Sequence, residues 1–245
     1  MTESRKTPLR YRWNHRAKLH RSLVKTFNKV ASHVPFRLKY RTAMARWTSH
    51  APYSLVGPDS VVVQVGAPAD TLRAGRSRGM HLALRTAGGA GRIIIIEPDP
   101  KSAEEFTRTA SEQGLGHVTV VNLGAWSCAQ TLELKIDQAH PATNFVDGLV
   151  DYDEARASEF LTLTIEADSI DNILADLGIE RVDLVSITTN GAEREILEGL
   201  RRTITEGLRY ICLARTSDSF DAGMRALGYD FLENDDRGFT YRLRE

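Results

Sequence analysis

Apolar residues between positions 60 and 215 gather in short, dense runs separated by longer stretches of mixed character. Val61-Val62-Val63-Gln64-Val65 and Arg92–Glu97, with four consecutive isoleucines, are too short for helices and rich in β-branched residues. Such runs predict strands buried on both faces. Val118–Val121, Val182–Ile187 and Arg209–Ala214 read the same way. The intervening segments predict helices through Met80–Arg85, Ser169–Leu177, Ala192–Ile204 and Phe220–Leu227. A further helix opens at Asp99-Pro100, a cap residue followed by proline in the first turn, and closes at Gly114. Strands alternating with helices imply a parallel sheet covered on both sides.

Two segments break the alternation. Leu132–Ile136 and Leu161–Ile165 each alternate apolar and polar positions, and 24 residues separate them. They predict a β insertion at 131–166 enclosing a variable loop at 137–160. Tyr229–Leu232 and Phe239–Leu243, joined through Asp235-Asp236-Arg237-Gly238, predict a terminal hairpin and hence an antiparallel edge strand. The expected fold is α/β, a doubly wound, mostly parallel sheet. Its body spans 57–245, opening at the turn signal Gly57-Pro58-Asp59, and a basic helical extension precedes it at 1–56.

Overall charge cancels, yet its distribution is lopsided. Residues 1–50 hold 13 Lys/Arg and one acid, Glu3. The remainder therefore carries 19 basic residues (32 less 13) and 31 acidic ones (32 less 1), a net of −12. Leu23, Phe27, Val30, Ala31 and Val34 form a helical stripe, with Lys18, Arg21, Lys25 and Lys29 on another face, and Pro35 ends it. This pattern suits a helix packed on the body. Behind that reading come an arm for an anionic membrane surface or an acidic protein partner, with nucleic acid placed last.

Cys128 and Cys212 are the two cysteines, too few for a disulfide framework, and Cys212 sits in an apolar run that reads as core. This favours a reducing, cytoplasmic setting, with peripheral attachment to a membrane as a variant. No apolar run approaches the ~18–20 residues of a membrane span. The N-terminus lacks the apolar segment of a secretory signal, although its acid-poor basic character also suits a transit peptide. Scattered histidines without carboxylates at ligand spacing give no metal site.

In open α/β sheets ligands bind beyond the carboxyl ends of the strands, near the point where strand order reverses. The first strand ends in Gln64-Val65-Gly66-Ala67-Pro68, where a glycine permits close backbone approach to a ligand. The second ends in Glu97-Pro98-Asp99. The two oxygens of a carboxylate at this point match the vicinal hydroxyls of a ribose, and Asp99 doubles as the cap of the following helix. The third leads into Asn122-Leu123-Gly124-Ala125-Trp126, a turn placed to adjoin an adenine, with Trp126 read as core. The fourth ends in Ser186-Ile187-Thr188-Thr189-Asn190-Gly191-Ala192-Glu193, where polar groups stand between a buried strand and a helix start.

Gly66-Ala67, Glu97-Pro98-Asp99-Pro100, Asn122-Leu123-Gly124-Ala125, Ile170-Asp171 and Gly191-Ala192-Glu193 occur in the order characteristic of FkbM-type methyltransferases, which residues 58–215 resemble. The resemblance implies a class I methyltransferase fold and S-adenosylmethionine (SAM) as methyl donor. It also implies O-methylation of a sugar, glycan or natural-product hydroxyl. By that pattern Gln64, Gly66, Ala67, Glu97, Pro98, Asp99, Asn122, Gly124 and Ala125 would hold the cofactor, and Thr188, Asn190 and Gly191 would face the substrate.

The departures from the family pattern fall at the same places. The first-strand Asp is Gln64, the following Asn is Pro68, and Asp70 stands where the loop's last glycine belongs. In the fourth-strand motif Lys, Asp and Glu become Ser186, Thr188 and Asn190. Glu193 and His140 are then the candidates for general base. Arg73, Arg76 and Arg78 could compensate Asp70 or grip a phosphate-bearing nucleotide. A second reading follows from the lost charges, that of a methyltransferase-fold protein serving as a binding or scaffold module through its arm.

Overall fold

The computed structural model describes residues 30, 33–36, 38, 40, 49–69, 74–137, 141–150, 159–214, 218–235 and 238–245. Most of the basic arm lies outside the described residues, including Leu23, Phe27 and Ala31 of its stripe. So do Asp70, Arg73 and His140.

The first strand, β1 (Val61–Val65), pairs in parallel with β2 (Arg92–Ile96), and β2 with β3 (Val118–Val121). The chain then leaves this sheet. Strands β4 (Gly124–Trp126), β5 (Gln130–Asp137), β6 (Phe145–Val146) and β7 (Phe160–Ser169) form a second sheet in the order β4-β7-β5-β6. On returning, β8 (Leu184–Ile187) lies parallel to β1 on its open side, and β9 (Tyr210–Leu213) follows it. The terminal hairpin, β10 (Tyr229–Asn234) and β11 (Phe239–Leu243), closes a seven-stranded sheet of order β10-β11-β9-β8-β1-β2-β3, with β11 antiparallel to β9. Strand order thus reverses between β1 and β8. This is the mostly parallel, doubly wound sheet of the class I methyltransferase type, with an antiparallel edge.

Helices cover both faces. Helix α1 (Ala74–Arg85) and α2 (Pro100–Glu112) pack on one side. There Val62, Ile93, Ile95 and Leu184 meet Met80, Leu82 and Phe106. The end of the N-terminal extension belongs to this core, since Tyr40, Tyr53 and Val56 are buried in it. Helices α3 (Ile170–Asp176), α4 (Glu193–Glu198), α5 (Arg201–Thr205) and α6 (Asp218–Ala226) occupy the other side. There Val63, Val65, Ile94, Ile96, Val185 and Ile187 point into a larger apolar cluster. Because side chains alternate along a strand, each buried run supplies both cores at once.

The continuous helix expected over 192–204 is two helices. They break at Gly199-Leu200, where the β4 backbone approaches so closely that a Cβ on Gly199 would lie 1.9 Å from the Trp126 carbonyl oxygen. The Gly199 carbonyl accepts instead from the Asp171 N–H (3.0 Å). Asp171 in turn uses its carboxylate to accept from the N–H groups of Arg202 and Thr203 at 2.7 and 3.0 Å. This motif aspartate therefore caps α5 and takes no part in the cleft described below.

One face of the main sheet carries a polar row instead of an apolar one. Gln64, Ser186, Cys212 and Thr240 are register partners on β1, β8, β9 and β11, and all are buried. Arg78 of α1 lies over the row. Its guanidinium donates to Cys212 Sγ and, at 2.7 and 2.9 Å, to both carboxylate oxygens of Asp235 in the hairpin turn. Both partners are nearly inaccessible, at 0% and 2% exposure, and burial raises the Cys212 thiol's pKa. Arg76 is also interior. It donates to the Glu105 carbonyl and to Thr109 Oγ1 (3.3 and 3.1 Å) and lies over the Phe106 ring. Both arginines are thus buried side chains that bond inside the protein, not a solvated surface pair. Their burial is not visible in the local sequence because their acceptors lie 29 to 157 residues away.

No helix among the described residues is long and apolar enough to cross a membrane.

Candidate active site

At the end of β1 the chain must turn sharply while the backbone of β8 passes beside it. Gly66 has φ of +80°, and a Cβ there would lie 2.7 Å from the Thr188 carbonyl oxygen, so no side chain is tolerated. Helix α1 comes equally close. A Cβ on Gly75 would sit 1.9 Å from the Gly66 carbonyl. Beneath the turn, Gln64 Nε2 donates to the Val65 and Gly66 carbonyls (2.8 and 2.9 Å) and to Thr188 Oγ1 (2.7 Å). The Thr188 hydroxyl lies 2.9 Å from the same two carbonyls. Gln64 is thus a clasp across the strand-order switch, buried below the cleft.

Glu97 ends β2 beside this turn. One carboxylate oxygen accepts from the Ala67 N–H at 2.5 Å, the other from the Asp99 N–H at 3.0 Å. Each oxygen keeps a second lone pair. Burial pushes the Glu97 pKa up to about 7, against the pull of those two N–H donors. Asn122 fixes the strand end by donating its side-chain amide to the Glu97 and Pro98 carbonyls (2.8 and 3.1 Å). Asp99 caps α2, accepting from Lys101 N–H and Ser102 Oγ.

A cleft opens above these strand ends, between the main sheet and the insertion. It holds about 630 Å³ of unfilled space, open mouth included. Of the residues expected at the site, Gly66, Glu97, Pro98, Gly124, Ala125, Thr188 and Asn190 line it together. Gln64, Ala67, Asp99 and Asn122 support its floor through the bonds given above. Gly191, with φ of +98°, turns the chain into α4 beside Leu149. Glu193 is buried in the first turn of α4 and is not among the cleft-lining residues.

The insertion supplies the remaining wall. Leu132 and Leu134 of β5, Phe145 and Val146 of β6 and Ile165 of β7 face the cleft. Sequence reading missed them as site residues. The alternation of Leu132, Leu134 and Ile165 marked an apolar face, and only the folded chain shows that this face turns to the cleft. Asn190 ties the insertion down, donating its amide to the carbonyls of Ala142 and Asn144 (3.1 and 2.8 Å). Asn144 in turn accepts from the Asp137 N–H (3.0 Å). Among the described residues no group of three or more His, Cys, Asp or Glu side chains is arranged to hold a metal ion.

The sequence from Gln64 to Tyr229 matches the model of the methyltransferase FkbM domain. The chain belongs to the FkbM methyltransferase family. No curated protein matches it. Among solved structures it is similar to the FkbM methyltransferase from Methylobacillus flagellatus (18% identity, TM-score 0.48), covering 91% of this chain and 59% of that one. This chain therefore spans less than two thirds of that structure's length. It is also similar to a methyltransferase from Geobacter sulfurreducens (16% identity, TM-score 0.42, covering 94% and 90% of the two chains). Fibrillarin from Aeropyrum pernix, whose crystal structure contains natively bound SAM, is a third (14% identity, TM-score 0.42, 82% and 73%).

The cleft fits the adenosine half of SAM. The Gly66 turn leaves a cradle that a Cβ would fill, and Glu97 brings two free lone pairs to its edge. Among the described residues, Glu97 is the one ionisable side chain on the cleft wall.

Proposed function

We propose that this family member is a SAM-dependent O-methyltransferase acting on a hydroxyl of a sugar, glycan or natural-product-type acceptor. The observation that carries the reading is the Glu97 carboxylate. It is oriented by two main-chain N–H groups at the carboxyl end of β2, beside the Gly66 turn and the strand-order switch.

In this reading Glu97 accepts from both ribose hydroxyls, Pro98 and the Gly124-Ala125 strand flank the adenine, and the Gly66 turn brings main chain against the rest of the molecule. SAM supplies an electrophilic methyl group on a sulfonium. The protein's contribution is to hold that methyl in line with an acceptor oxygen, since orientation is the main lever on such a displacement. The insertion, pinned by Asn190, forms the wall of the cleft opposite the strand ends.

Titration calorimetry with SAM and with S-adenosylhomocysteine (SAH) tests the reading. Saturable binding of both is expected. Absence of binding at millimolar concentration would refute it.

A further inference from the structure

The chain that follows the Gly66 turn is gripped from behind. Ala67 gives its N–H to one oxygen of Glu97 (2.5 Å), and Ala69 gives its N–H to Ser102 Oγ of α2 (2.9 Å). Pro68, which lines the cleft, stands between these two anchored amides. It has no N–H to spend, and its ring fixes φ. Ser102 in turn donates to Asp99 Oδ2 (2.5 Å), and the Asp99 N–H donates to the second oxygen of Glu97 (3.0 Å). The bonds close a ring, from Ala67 through Glu97, Asp99 and Ser102 to Ala69, and its three side chains are buried.

Capping the helix does not by itself need this ring, since Asp99 already accepts from the Lys101 N–H (3.2 Å). In an ordinary capping box the side chain at the third helical position returns to the N–H of the cap residue. Here that N–H is spent on Glu97. Ser102, at the third position of α2, instead accepts from a loop 33 residues earlier. The polar groups of this helix start are thereby turned on the segment that carries Gly66, Pro68 and Glu97, the part of the cleft wall assigned above to the nucleoside.

We infer that Ser102 is a positioning residue for the methyl donor: its hydroxyl, shared between Ala69 and Asp99, locks the cleft floor in the shape that presents the free lone pairs of Glu97 to the ribose. The inference rests on the methyltransferase reading and deepens it. Ser102 is fully buried and acts through Glu97 and the loop. Removing its hydroxyl leaves the Ala69 N–H without this acceptor and Asp99 Oδ2 without this donor. The loop slackens, and the neighbouring Ala67 bond to Glu97 weakens with it. That bond bears on the charge of Glu97. Burial raises the Glu97 pKa and the Ala67 and Asp99 N–H groups lower it, while of the charged groups around it Asp99 raises it and Arg76 of α1 lowers it. A weaker Ala67 bond therefore moves the Glu97 midpoint up, away from the ionised form that accepts from ribose hydroxyls.

The test titrates the full chain and its Ser102→Ala variant with SAH from about pH 6 to 9, a span that brackets the Glu97 midpoint. It also follows hydrogen exchange in peptides spanning 66–69. In Ser102→Ala, SAH should bind about fivefold more weakly at neutral pH, the worth of one hydrogen bond. The midpoint of the pH profile should rise by about half a unit or more, and exchange at 66–69 should quicken. Thr107→Ala removes another α2 hydroxyl, one that donates to the Ala103 carbonyl (2.9 Å), and should leave affinity, midpoint and loop exchange as in the wild type. Equal SAH affinity and midpoint in wild type and Ser102→Ala would overturn the inference. So would a loss of affinity with the midpoint unmoved, the mark of a merely structural role, or the same shift in Thr107→Ala. A wild-type chain that binds no SAH would remove the methyltransferase reading and this role with it, whereas failure of the ring alone leaves wild-type binding intact.

Discussion

The side-chain amide of Gln64 lies 2.7 Å from the hydroxyl of Thr188, joining β1 to β8 where the strand order reverses. Both positions hold acids in the family pattern, and here they form one neutral unit. An amide donor at 64 saturates the two carbonyls of the turn, and a hydroxyl at 188 accepts from it. A carboxylate at either place would face those carbonyls with no proton to offer. Thr188→Val removes a hydroxyl that is hydrogen-bonded to the Gln64 amide and the two turn carbonyls and should cost about 1–3 kcal/mol, measured by urea unfolding. Thr188→Asp should cost more than Thr188→Val, although it restores the family residue.

The buried Glu97 gives a pH signature. Its folded-state pKa, about 7, lies above the ordinary value of 4.5. Below about 4.5 the side chain is protonated in folded and unfolded chains alike, and its favourable contribution is fully present. As pH rises towards 7 the unfolded chain ionises first, so stability falls, by at most about 3.5 kcal/mol at roughly 1.4 per unit. Ribose hydroxyls donate to the ionised form, so nucleoside affinity runs the opposite way. It should hold above pH 7 and weaken towards tenfold per unit below it. Calorimetry with SAH from pH 5.5 to 8.5 checks this (roughly the span needed to bracket the midpoint), and Glu97→Gln should flatten the dependence.

Arg78 and Asp235 bind the terminal hairpin to helix α1 through a pair that water does not reach. Asp235→Ala strands a buried cation and should destabilise the fold by about 3–5 kcal/mol. The double variant Arg78→Met with Asp235→Ala should recover a good part of that loss, because the unpaired charge is gone. Thermal or urea unfolding of the three proteins reads the difference.

Asn190 holds the insertion by donating two hydrogen bonds to main-chain carbonyls. Asn190→Asp cannot donate and sets a carboxylate against the same oxygens. Hydrogen exchange in the peptide covering 141–146 should then quicken by about tenfold or more, the loss of roughly 1.5 kcal/mol or more of local stability. Peptides of β1 and β2 should be unaffected.

Much of this architecture is legible in the sequence, because the β-branched runs at 61–65 and 92–96 are buried on both faces and admit no other periodicity. The run at 118–121, expected to be buried likewise, is instead an edge strand with no fully buried residue. The strand ends followed from those runs, and with them the meeting of Gly66, Glu97, Gly124, Thr188 and Asn190. What escaped depends on distant partners. Strands β4 and β6 are three and two residues long and exist only through pairing with β7 and β5. The break at Gly199 is set by the Trp126 carbonyl. Arg76 and Arg78 are charged residues in a helix, and their burial becomes apparent only once Thr109, Cys212 and Asp235 are in place. The apolar cleft wall was visible as an alternating face, but which way an insertion turns is decided by a latch such as Asn190, which local pattern does not encode.

Calorimetric titration of the wild-type chain and of Glu97→Ala with SAH bears most directly on the assignment of this cleft to a nucleoside-bearing methyl donor. Binding of about one SAH per chain in the wild type is expected, weakened tenfold or more in the variant by the loss of two hydrogen bonds to a charged group. No binding by the wild type, or equal binding by the two proteins, would contradict it.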